Sequence, residues 1–365
     1  LDTEGGVYTS ADKYAKNKQN FLNYIDGFFA WGHNPKNALK RNYNNSNNIY
    51  VTGNPRFDLL QPHLRFIYQN RAIPFNKRYG EYILVNGNFS FANPYAQHVV
   101  NKNEEIYGSA PQSKRTYANR TFYRFIDAIY HLQHKFHETN IIIRPHPSEN
   151  NTTYKEAFEG YDHIHIEDAG DARTWIAGAS VTLHHDCTTG IESALMGVPV
   201  VSYRPFQNEE YEMELPQRVS EQVFTIEELT EYVSQSVHTD QPYELDGKQT
   251  EYLKQYFHTI YGSAAEIICD IVDSLGIRTE KNYNKLKPDL RGKVERRAKS
   301  SRWSNQMIAA YEGVQKFRGY DSQRKQRQYL KQKFPGLEKE EIFERVNEIN
   351  SVLDIGPVSV EQAPM

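Results

Sequence analysis

The sequence predicts an α/β protein whose strands form a parallel sheet. Short apolar runs alternate with stretches of helical periodicity from about residue 80 to residue 275. This alternation is typical of β-α-β units. Two of the apolar runs end abruptly at polar residues, near 144 and near 184. Because ligands bind at the carboxyl ends of strands in open α/β sheets, these two ends predict a binding pocket.

The central part of the chain, residues 76–278, predicts one complete domain of this type. Strands are expected where short β-branched runs occur, at 81–86, 141–143, 163–166, 181–183 and 200–203. Helices are expected between them, at 121–136, near 172, from 190, from 225 and over most of 252–275. The clearest is 121–136, because its apolar residues share one face: Phe122, Phe125, Ile126, Ile129, Leu132 and Phe136.

Residues 1–75 predict only part of a second Rossmann-like domain. Short strands at 28–31 and 48–52 and a helix at 10–22 are fewer elements than such a domain needs. The chain starts at Leu1 with what reads as the end of a strand entering a glycine turn. We therefore expect an N-terminal domain that is incomplete or degenerate, followed by a linker at 71–80.

Arg144 and His146 lie at the end of the first strand that stops abruptly. They follow the apolar run 141–143, and prolines at 145 and 147 fix the backbone between and after them. A cation and an imidazole held rigidly at a strand end suit a diphosphate or a phosphodiester leaving group. The plainer alternative is a surface loop without a ligand.

The second such strand, at 181–183, leads through a polar turn into a helix. Thr188, Thr189 and Gly190 lie where this helix begins, where free backbone N–H groups and the helix dipole favour an anion. Glu192 lies in the first turn, where its carboxylate can accept from ribose hydroxyls. The alternative is that Thr188 merely caps the helix, but this leaves the second hydroxyl unexplained.

Together these motifs resemble the GT-B glycosyltransferases that build bacterial surface polysaccharides. Arg-Pro-His-Pro at 144–147 is followed by Asp-Cys-Thr-Thr-Gly-Ile-Glu at 186–192 and by Gly-Val-Pro-Val-Val-Ser-Tyr at 197–203. Thr-Gly-Asn-Pro-Arg-Phe-Asp at 52–58 is similar to a strand end of the CDP-glycerol glycerophosphotransferases. The chain most resembles the surface carbohydrate biosynthesis protein family, and more distantly the Kdo transferases and bacterial sialyltransferases. The resemblance covers roughly residues 1 to 275.

The resemblance implies two Rossmann-like domains that face a cleft. The nucleotide-sugar donor would lie on the second domain, and a glycan or lipid-linked glycan acceptor would enter from the first. His146 would stabilise charge on the departing phosphate. The phosphate- and nucleotide-binding residues implied are Arg144, Thr188, Thr189, Gly190, Glu192, Asn88 and Ser90, the last two because the loop 86–90 faces the donor phosphates in this fold. No metal and no other cofactor is expected, since a helix dipole and side-chain donors replace the metal.

An acidic pair before a glycine is a further signature of the sialyltransferases, here Asp2-Thr-Glu4-Gly5. Thr3 separates the two acids, which leaves open whether Glu4 or Asp2 is catalytic. On an extended strand both would point to the same face, and either could act as general base or nucleophile. The order of the signatures favours a CMP-activated acidic sugar, Kdo or a sialic-type sugar; UDP-sugars and CDP-glycerol remain open.

Two other kinds of function compete with a glycosyltransferase. A sugar-nucleotide epimerase of the UDP-GlcNAc 2-epimerase type shares the fold but needs no acceptor. A non-catalytic scaffold of a polysaccharide assembly complex would show no turnover, and its basic C-terminal segment would be its working part.

Composition indicates a globular protein, with 38% hydrophobic and 24% charged residues among 365 and a net charge of −3. Mean hydropathy is −0.75, and no apolar run approaches the ~20 residues that a membrane span needs. No signal peptide is visible. The two cysteines, Cys187 and Cys269, form neither a disulfide framework nor a metal-site spacing. We therefore expect a cytoplasmic protein.

Residues 279–365 predict a basic helical extension and a loose tail. The segment 281–333 carries 16 Lys or Arg against 4 Asp or Glu. It is expected either to be a solvated helical face or to lie against anionic lipid headgroups or an anionic glycan at the inner face of the cytoplasmic membrane. Nucleic acid is not expected as a partner, because no nucleic-acid-binding motif accompanies the charge.

Paired histidines raise the possibility of a metal site, which we reject. His184 and His185 flank Asp186, and His163 and His165 alternate on a strand, but no third ligand has a convincing spacing. Asp186 is expected instead to order the turn or a neighbouring histidine.

Overall fold

The structure, a computed structural model, confirms the α/β prediction. It describes residues 2, 8, 14–15, 22, 25–42, 48–95, 112–237, 242–260, 262–275 and 339–353. The chain divides into two compact units, one of residues 1–265 with 335–365 and one of residues 266–334. All strands named below belong to the first unit. Within the described residues, no helix is both long enough and apolar enough to cross a membrane.

The described secondary structure alternates as the sequence predicts. The strands are β1 (Phe28–Ala30), β2 (Ile49–Val51), β3 (Tyr82–Asn86), β4 (Asn140–Arg144), β5 (Ile164–Ile166), β6 (Val181–His184), β7 (Val200–Tyr203) and β8 (Glu221–Val223). The helices are α1 (His33–Asn42), α2 (Pro55–Asp58), α3 (Phe66–Tyr79), α4 (Gln112–Lys135), α5 (Asn151–Ala157), α6 (Ala172–Gly178), α7 (Thr188–Met196), α8 (Glu214–Arg218), α9 (Ile226–Val237), α10 (Gly247–Tyr256), α11 (Ala264–Ser274) and α12 (Lys339–Leu353).

Six of the strands form one sheet, in the order β5-β4-β3-β6-β7-β8, and every neighbouring pair is parallel. This is the strand order of a Rossmann-type sheet. The chain runs outward from β3 through β4 to β5, then crosses back to β6 on the other side of β3. The direction of winding therefore reverses between β3 and β6, and ligands bind at such a switch point.

Register places the predicted strand ends side by side. Asn86 at the end of β3 is paired with Arg144 of β4 on one side and with His184 of β6 on the other. The loops that follow these three residues therefore leave the same edge of the sheet. The prediction that the ends near 144 and 184 lie close together is confirmed, with the end of β3 between them.

Both faces of the sheet are covered by apolar side chains. In β3, Leu84 joins one buried cluster while Ile83 and Val85 join the other, as the two-residue period of a strand requires. The first cluster includes side chains from α6, α7 and α8, such as Trp175, Ile191 and Leu215. The second includes side chains from α4 and α9, such as Phe125, Leu132 and Leu229. A sheet buried on both faces explains why its strands read as continuous apolar runs.

The N-terminal strands form a separate parallel pair, β1 with β2. The chain leaves β1 through Trp31 and Gly32, and a Cβ on Gly32 would lie 2.2 Å from the carbonyl oxygen of Tyr256. Glycine is therefore needed for this close backbone approach. The two strands predicted in this region are confirmed, whereas most of the helix predicted at 10–22 lies outside the described residues.

Several elements differ from the sequence prediction. The predicted linker at 71–80 is mostly helical, because α3 continues through Pro74 and ends at Gly80, whose φ is +64°. The helical stretch predicted at 252–275 is two helices, α10 and α11, separated by residues 257–263. The short strand β8 was not predicted, because Glu221-Gln-Val223 has only one apolar residue.

Candidate nucleotide-binding site

The backbone conformation and hydrogen bonds of Asp186 fix the turn between β6 and α7. Asp186 adopts a left-handed backbone with φ +52°, a conformation that Asp tolerates better than most residues. One of its carboxylate oxygens accepts the N–H of Met213 at 2.5 Å, and its carbonyl accepts from Asn88 Nδ2 at 2.5 Å. Burial raises the pKa of its carboxyl to about 7. Of the two roles expected for Asp186, ordering the turn or ordering a neighbouring histidine, these contacts favour the turn.

Asn88 thereby joins the two loops of the switch point. It lies in the loop after β3, and its amide donates to the turn after β6. Ser90, two residues on, is half-buried in the same loop. Sequence analysis proposed both as phosphate-binding residues, and the structure places their loop beside the start of α7.

The N-terminus of α7 has no side-chain cap. Cys187 is the N-cap residue, with an extended backbone at φ −122°, and its side chain makes no capping hydrogen bond. Thr188 is the first helical residue, so the alternative that Thr188 merely caps the helix is wrong. The unpaired backbone N–H groups of a first helical turn, together with the helix dipole, suit an anion.

Two buried polar atoms on α7 are poorly satisfied. Among the residues that the structure describes, Glu192 Oε2 has no hydrogen-bond partner, and Thr189 Oγ1 has none besides the thiol of Cys187, a weak acceptor. Thr189 and Glu192 are three residues apart and therefore lie on the same face of the helix. Since buried polar atoms are almost always satisfied, this face of α7 is a candidate surface for a polar ligand.

Glu192 is held by a residue from the N-terminal part of the chain. Its side chain is fully buried, and its Oε1 lies 2.9 Å from Arg56 Nε and 2.7 Å from a terminal guanidinium nitrogen of Arg56. Arg56 is positioned by the short helix α2, where Asn54 accepts the Arg56 N–H at 3.0 Å. The preceding Gly53 has φ +84°, a conformation that favours glycine.

Gly190 is required by packing against a histidine. A Cβ at this position would lie 2.3 Å from His184 Nε2. That nitrogen lies 2.8 Å from Ser220 Oγ, which itself donates to the Pro216 carbonyl, so the His184 ring donates to Ser220. Burial lowers the pKa of His184 to about 3 and that of His185 to about 4. Both rings are therefore neutral near pH 7.

His146 is fixed in one tautomer. Its Nδ1 accepts the backbone N–H of Ser148 at 3.1 Å, so the ring is neutral and its proton is on Nε2. A neutral imidazole of this kind presents an N–H donor, which suits a phosphate oxygen. It lies after β4, next to the loop of β3, and its role in stabilising the departing phosphate stays a prediction.

Arg144 directs its guanidinium to another loop. Its terminal nitrogens donate to the carbonyls of Ala169 at 2.7 Å and Gly170 at 3.0 Å, in the segment after β5. The guanidinium also lies 5.4 Å from the centre of the Trp175 ring. Burial lowers its pKa to about 10, so it remains charged near neutral pH. Its role in phosphate binding stays a prediction, because the described contacts of its terminal nitrogens support a loop.

Of the two candidate catalytic acids, the structure describes one. Asp2 is buried beside β1, where its N–H donates to the Phe29 carbonyl and its carboxylate accepts from the Tyr14 hydroxyl. Trp31 Nε1 donates to the Asp2 carbonyl at 2.7 Å. Glu4 lies outside the described residues, so its role stays a prediction.

Sequence analysis missed two residues that organise this region. Arg56 lies within the motif at 52–58 that resembles the CDP-glycerol glycerophosphotransferases. The sequence signal that could have identified it was a cation directly after an Asn-Pro pair that begins a helix. Glu149 follows His146 by three residues and is completely buried; the only signal was an acid close to a strand end. Within the described ranges, no group of three or more His, Cys, Asp or Glu is arranged to hold a metal ion.

Comparison with known proteins gives similarity only at the level of three-dimensional structure. No protein-family model and no curated protein sequence matches the chain. Similar solved structures include UDP-GlcNAc 2-epimerase from Methanocaldococcus jannaschii in complex with UDP-GlcNAc and UDP, with 17% identity and a TM-score of 0.43, over 68% of this chain and 61% of that chain.

Two further similar structures are not epimerases by name. One is the wall teichoic acid polymerase TagF with CDPG, at 14% identity and a TM-score of 0.41, over 71% of this chain and 61% of that chain. The other is Anabaena HepE in complex with UDP and glucose, at 11% identity and a TM-score of 0.37, over 71% of this chain and 65% of that chain. The chain thus spans less than two thirds of the length of these three proteins.

Proposed function

We propose that this chain is a metal-independent, GT-B-type glycosyltransferase that binds its nucleotide-sugar donor at the N-terminus of α7. One observation carries the proposal: at the switch point of a Rossmann-type sheet, a helix without a side-chain cap begins with Thr188 and Thr189 and carries the buried Glu192, whose Oε2 has no partner among the described residues. A donor phosphate at the helix start and a ribose along the same helix face would bind the two hydroxyls and satisfy Glu192 Oε2.

The proposed roles follow the geometry. The first-turn N–H groups and the hydroxyls of Thr188 and Thr189 bind the phosphate of the donor, while Glu192 Oε2 accepts from a ribose hydroxyl. Arg56 holds the Glu192 carboxylate in place through its hydrogen bond to Oε1. His146 donates its Nε2 proton to the phosphate that leaves, stabilising its developing charge.

The acceptor side of the proposal rests on the acidic pair. We propose Glu4 first, and Asp2 second, as the group that removes the proton from the acceptor hydroxyl or attacks the sugar. The favoured donor is a CMP-activated Kdo or sialic-type sugar, and the acceptor is a surface glycan or its lipid-linked precursor. Such a reaction takes place in the cytoplasm, at the inner face of the membrane if the basic segment 281–333 binds anionic lipid.

Product analysis tests the reaction type. The protein is incubated with CMP-, UDP- and CDP-activated donors, with and without a glycan acceptor, and the products are separated and identified. A glycosyltransferase gives a glycan product and a nucleotide only when acceptor is present. Acceptor-independent conversion of a UDP-sugar into its epimer would make the chain an epimerase, and the absence of turnover with every donor would favour a scaffold.

Variants of the phosphate site test the mechanism. We expect His146→Ala to lower turnover at saturating donor on the order of 100-fold, because one preorganised donor is lost. His163→Ala is the matched control, since this histidine is exposed and lies at the opposite end of the strands. Turnover of His146→Ala near that of the control would contradict the role of His146.

Variants of the acidic pair test the catalytic group separately. We expect Glu4→Gln to abolish sugar transfer while donor binding persists, because the proposed nucleotide site lies elsewhere in the chain. Asp2→Asn is the second variant to measure. Transfer at the parental rate by both variants would place the catalytic group elsewhere.

A further inference from the structure

Glu149 is a carboxylic acid buried completely among the loops of the proposed site. Its side chain is 0% exposed, a position that acidic residues occupy only with compensating contacts. It lies in the loop after β4, three residues beyond His146. The proposed reaction gives it no chemical step, so its burial needs another explanation.

The carboxyl of Glu149 joins two loops that leave different strands. Its Oε1 accepts the backbone N–H of Phe89 at 2.9 Å, from the loop after β3, and the N–H of His146 at 3.0 Å, from the loop after β4. Its Oε2 accepts from the Tyr154 hydroxyl at 2.6 Å, on α5. One side chain thereby satisfies two buried backbone donors and ties both loops to a helix.

The backbone beside Glu149 is shaped to receive it. A Cβ at Gly87 would lie 2.8 Å from Glu149 Oε1, closer than real side-chain carbons approach an oxygen. Glycine at this position therefore lets the loop after β3 pack directly onto the carboxyl. The contact therefore depends on glycine at position 87 as well as on Glu149.

Both bonded loops carry residues of the proposed site. The residue before Phe89 is Asn88, whose amide donates to the Asp186 carbonyl in the turn before α7. On the other side, the His146 ring is held by the N–H of Ser148 at 3.1 Å. A continuous chain of hydrogen bonds therefore runs from the His146 backbone through Glu149 and the Phe89 loop to the start of α7.

We infer that Glu149 is a positioning residue, which sets the distance between the His146 donor and the anion site of α7. The inference rests on the proposed function for its catalytic consequence, but its structural content is independent of any ligand. Misplacement of a donor by about 1 Å lowers rates on the order of 100-fold. Loss of the carboxyl should therefore reduce the turnover of folded enzyme, beyond any loss of stability.

Two substitutions of Glu149 distinguish a positioning role from a contribution to stability alone. Glu149→Gln keeps an oxygen in the place of Oε1 for the two N–H donors, and its amide can donate to the Tyr154 hydroxyl. Glu149→Ala removes every one of these bonds. Glu156→Ala is the matched control, because Glu156 is an exposed acid on the neighbouring α5.

The first measurement is hydrogen exchange of the full chain without ligand. We expect Glu149→Ala to speed exchange at least about tenfold in peptides covering 87–90 and 145–149, and Glu149→Gln and Glu156→Ala to leave both peptides near the parental rate. Unchanged exchange in Glu149→Ala would overturn the inference. This measurement tests whether Glu149 holds the two loops, even if the protein turns over no donor. Absence of turnover would count against the proposed function and not against this role of Glu149.

The second measurement is the division of the kinetic effect between kcat and KM, at a temperature where every variant is folded. We expect Glu149→Ala to lower kcat on the order of 100-fold, with Glu149→Gln restoring it to within about threefold of the parent. A purely structural residue would lower the melting temperature while leaving the kcat of the folded fraction unchanged, and that result would overturn the inference.

Discussion

Gly190→Ala tests whether α7 is packed as closely as the structure indicates. The new methyl group would lie 2.3 Å from His184 Nε2, whereas carbon atoms in contact are ordinarily about 3.5–4.0 Å apart. Either the ring or the first turn of α7 must therefore move by roughly 1 Å. The ring resists, because it is fully buried and its Nε2 donates to Ser220 Oγ at 2.8 Å.

The expected loss of stability follows from these contacts. Forcing an extra methyl group into a packed core destabilises by about 1–3 kcal/mol, and leaving a buried hydrogen-bonding group unsatisfied adds about 1–3 kcal/mol. We expect Gly190→Ala to lower the free energy of unfolding by about 2–6 kcal/mol. Urea unfolding followed by circular dichroism measures the difference.

Gly247→Ala is the matched control for this measurement. Gly247 begins α10, and a Cβ there meets no atom within 4 Å. Alanine is the better helix former, so this variant should be neutral or more stable by up to about 1 kcal/mol. If Gly190→Ala unfolded within about 0.5 kcal/mol of this control, the close packing of α7 on His184 would be refuted.

Two further predictions concern buried carboxylates. Burial raises the pKa of Glu149 from 4.5 to about 7, so the folded state holds the proton more tightly than the unfolded state, and this residue's contribution to stability falls as pH rises through that range. The stability of Glu149→Gln relative to the parent should therefore increase by about 2–3 kcal/mol between pH 5 and pH 7.5, measured by urea unfolding at both values. A stability difference that does not change with pH would contradict the burial. Arg56→Ala should destabilise the protein by about 1–3 kcal/mol, because Glu192 is 0% exposed and loses its ion-pair partner while Arg56 is 41% exposed. The control Arg124→Ala breaks an exposed pair with Asp127 and should change stability by less than about 1 kcal/mol. Equal effects of the two substitutions would be evidence against the Arg56 contact.

The sheet and the positions of its polar strand ends could be predicted because they depend on local patterns. Strands buried on both faces are apolar throughout, so runs such as Ile141–Ile143 stand out even in a single sequence. Each run ends where polar residues begin, which locates the carboxyl edge of the sheet. The turn before α7 was predicted for the same reason, since Thr-Thr-Gly between an apolar strand and an apolar helix has few other interpretations.

The contacts that fix the site could not be predicted, because they join distant parts of the chain. Arg56 and Glu192 are 136 positions apart, and nothing in the local sequence of either indicates its partner. Glu149 was overlooked because an acid in a polar loop is usually exposed. The helix predicted from 190 begins two residues earlier, at Thr188, because its N-cap is Cys187, a residue with little capping preference.

α3 shows that a proline does not always interrupt or end a helix. Pro74 and Gly80 suggested a linker, and Gly80 does end the helix, with φ +64°. Pro74 nevertheless lies inside α3, where buried side chains on one face, Ile67, Tyr68, Ala72 and Tyr79, hold the helix in place. Tertiary packing therefore outweighs the penalty of a proline, about 3 kcal/mol in a helix interior.

The central claim is that the N-terminus of α7 binds a nucleotide, and calorimetric titration tests it most directly. CMP, CDP, UDP and GDP are titrated into the parent protein, into the Thr188→Val/Thr189→Val double variant, and into Thr152→Val, a control at an exposed threonine of α5. We expect the parent and the control to bind at least one of the four nucleotides with the same affinity. The folded double variant should bind it at least about tenfold more weakly, because two hydrogen bonds of about 1 kcal/mol each are lost. Equal affinity in the folded double variant, or no binding of any of the four by the parent, would contradict the claim.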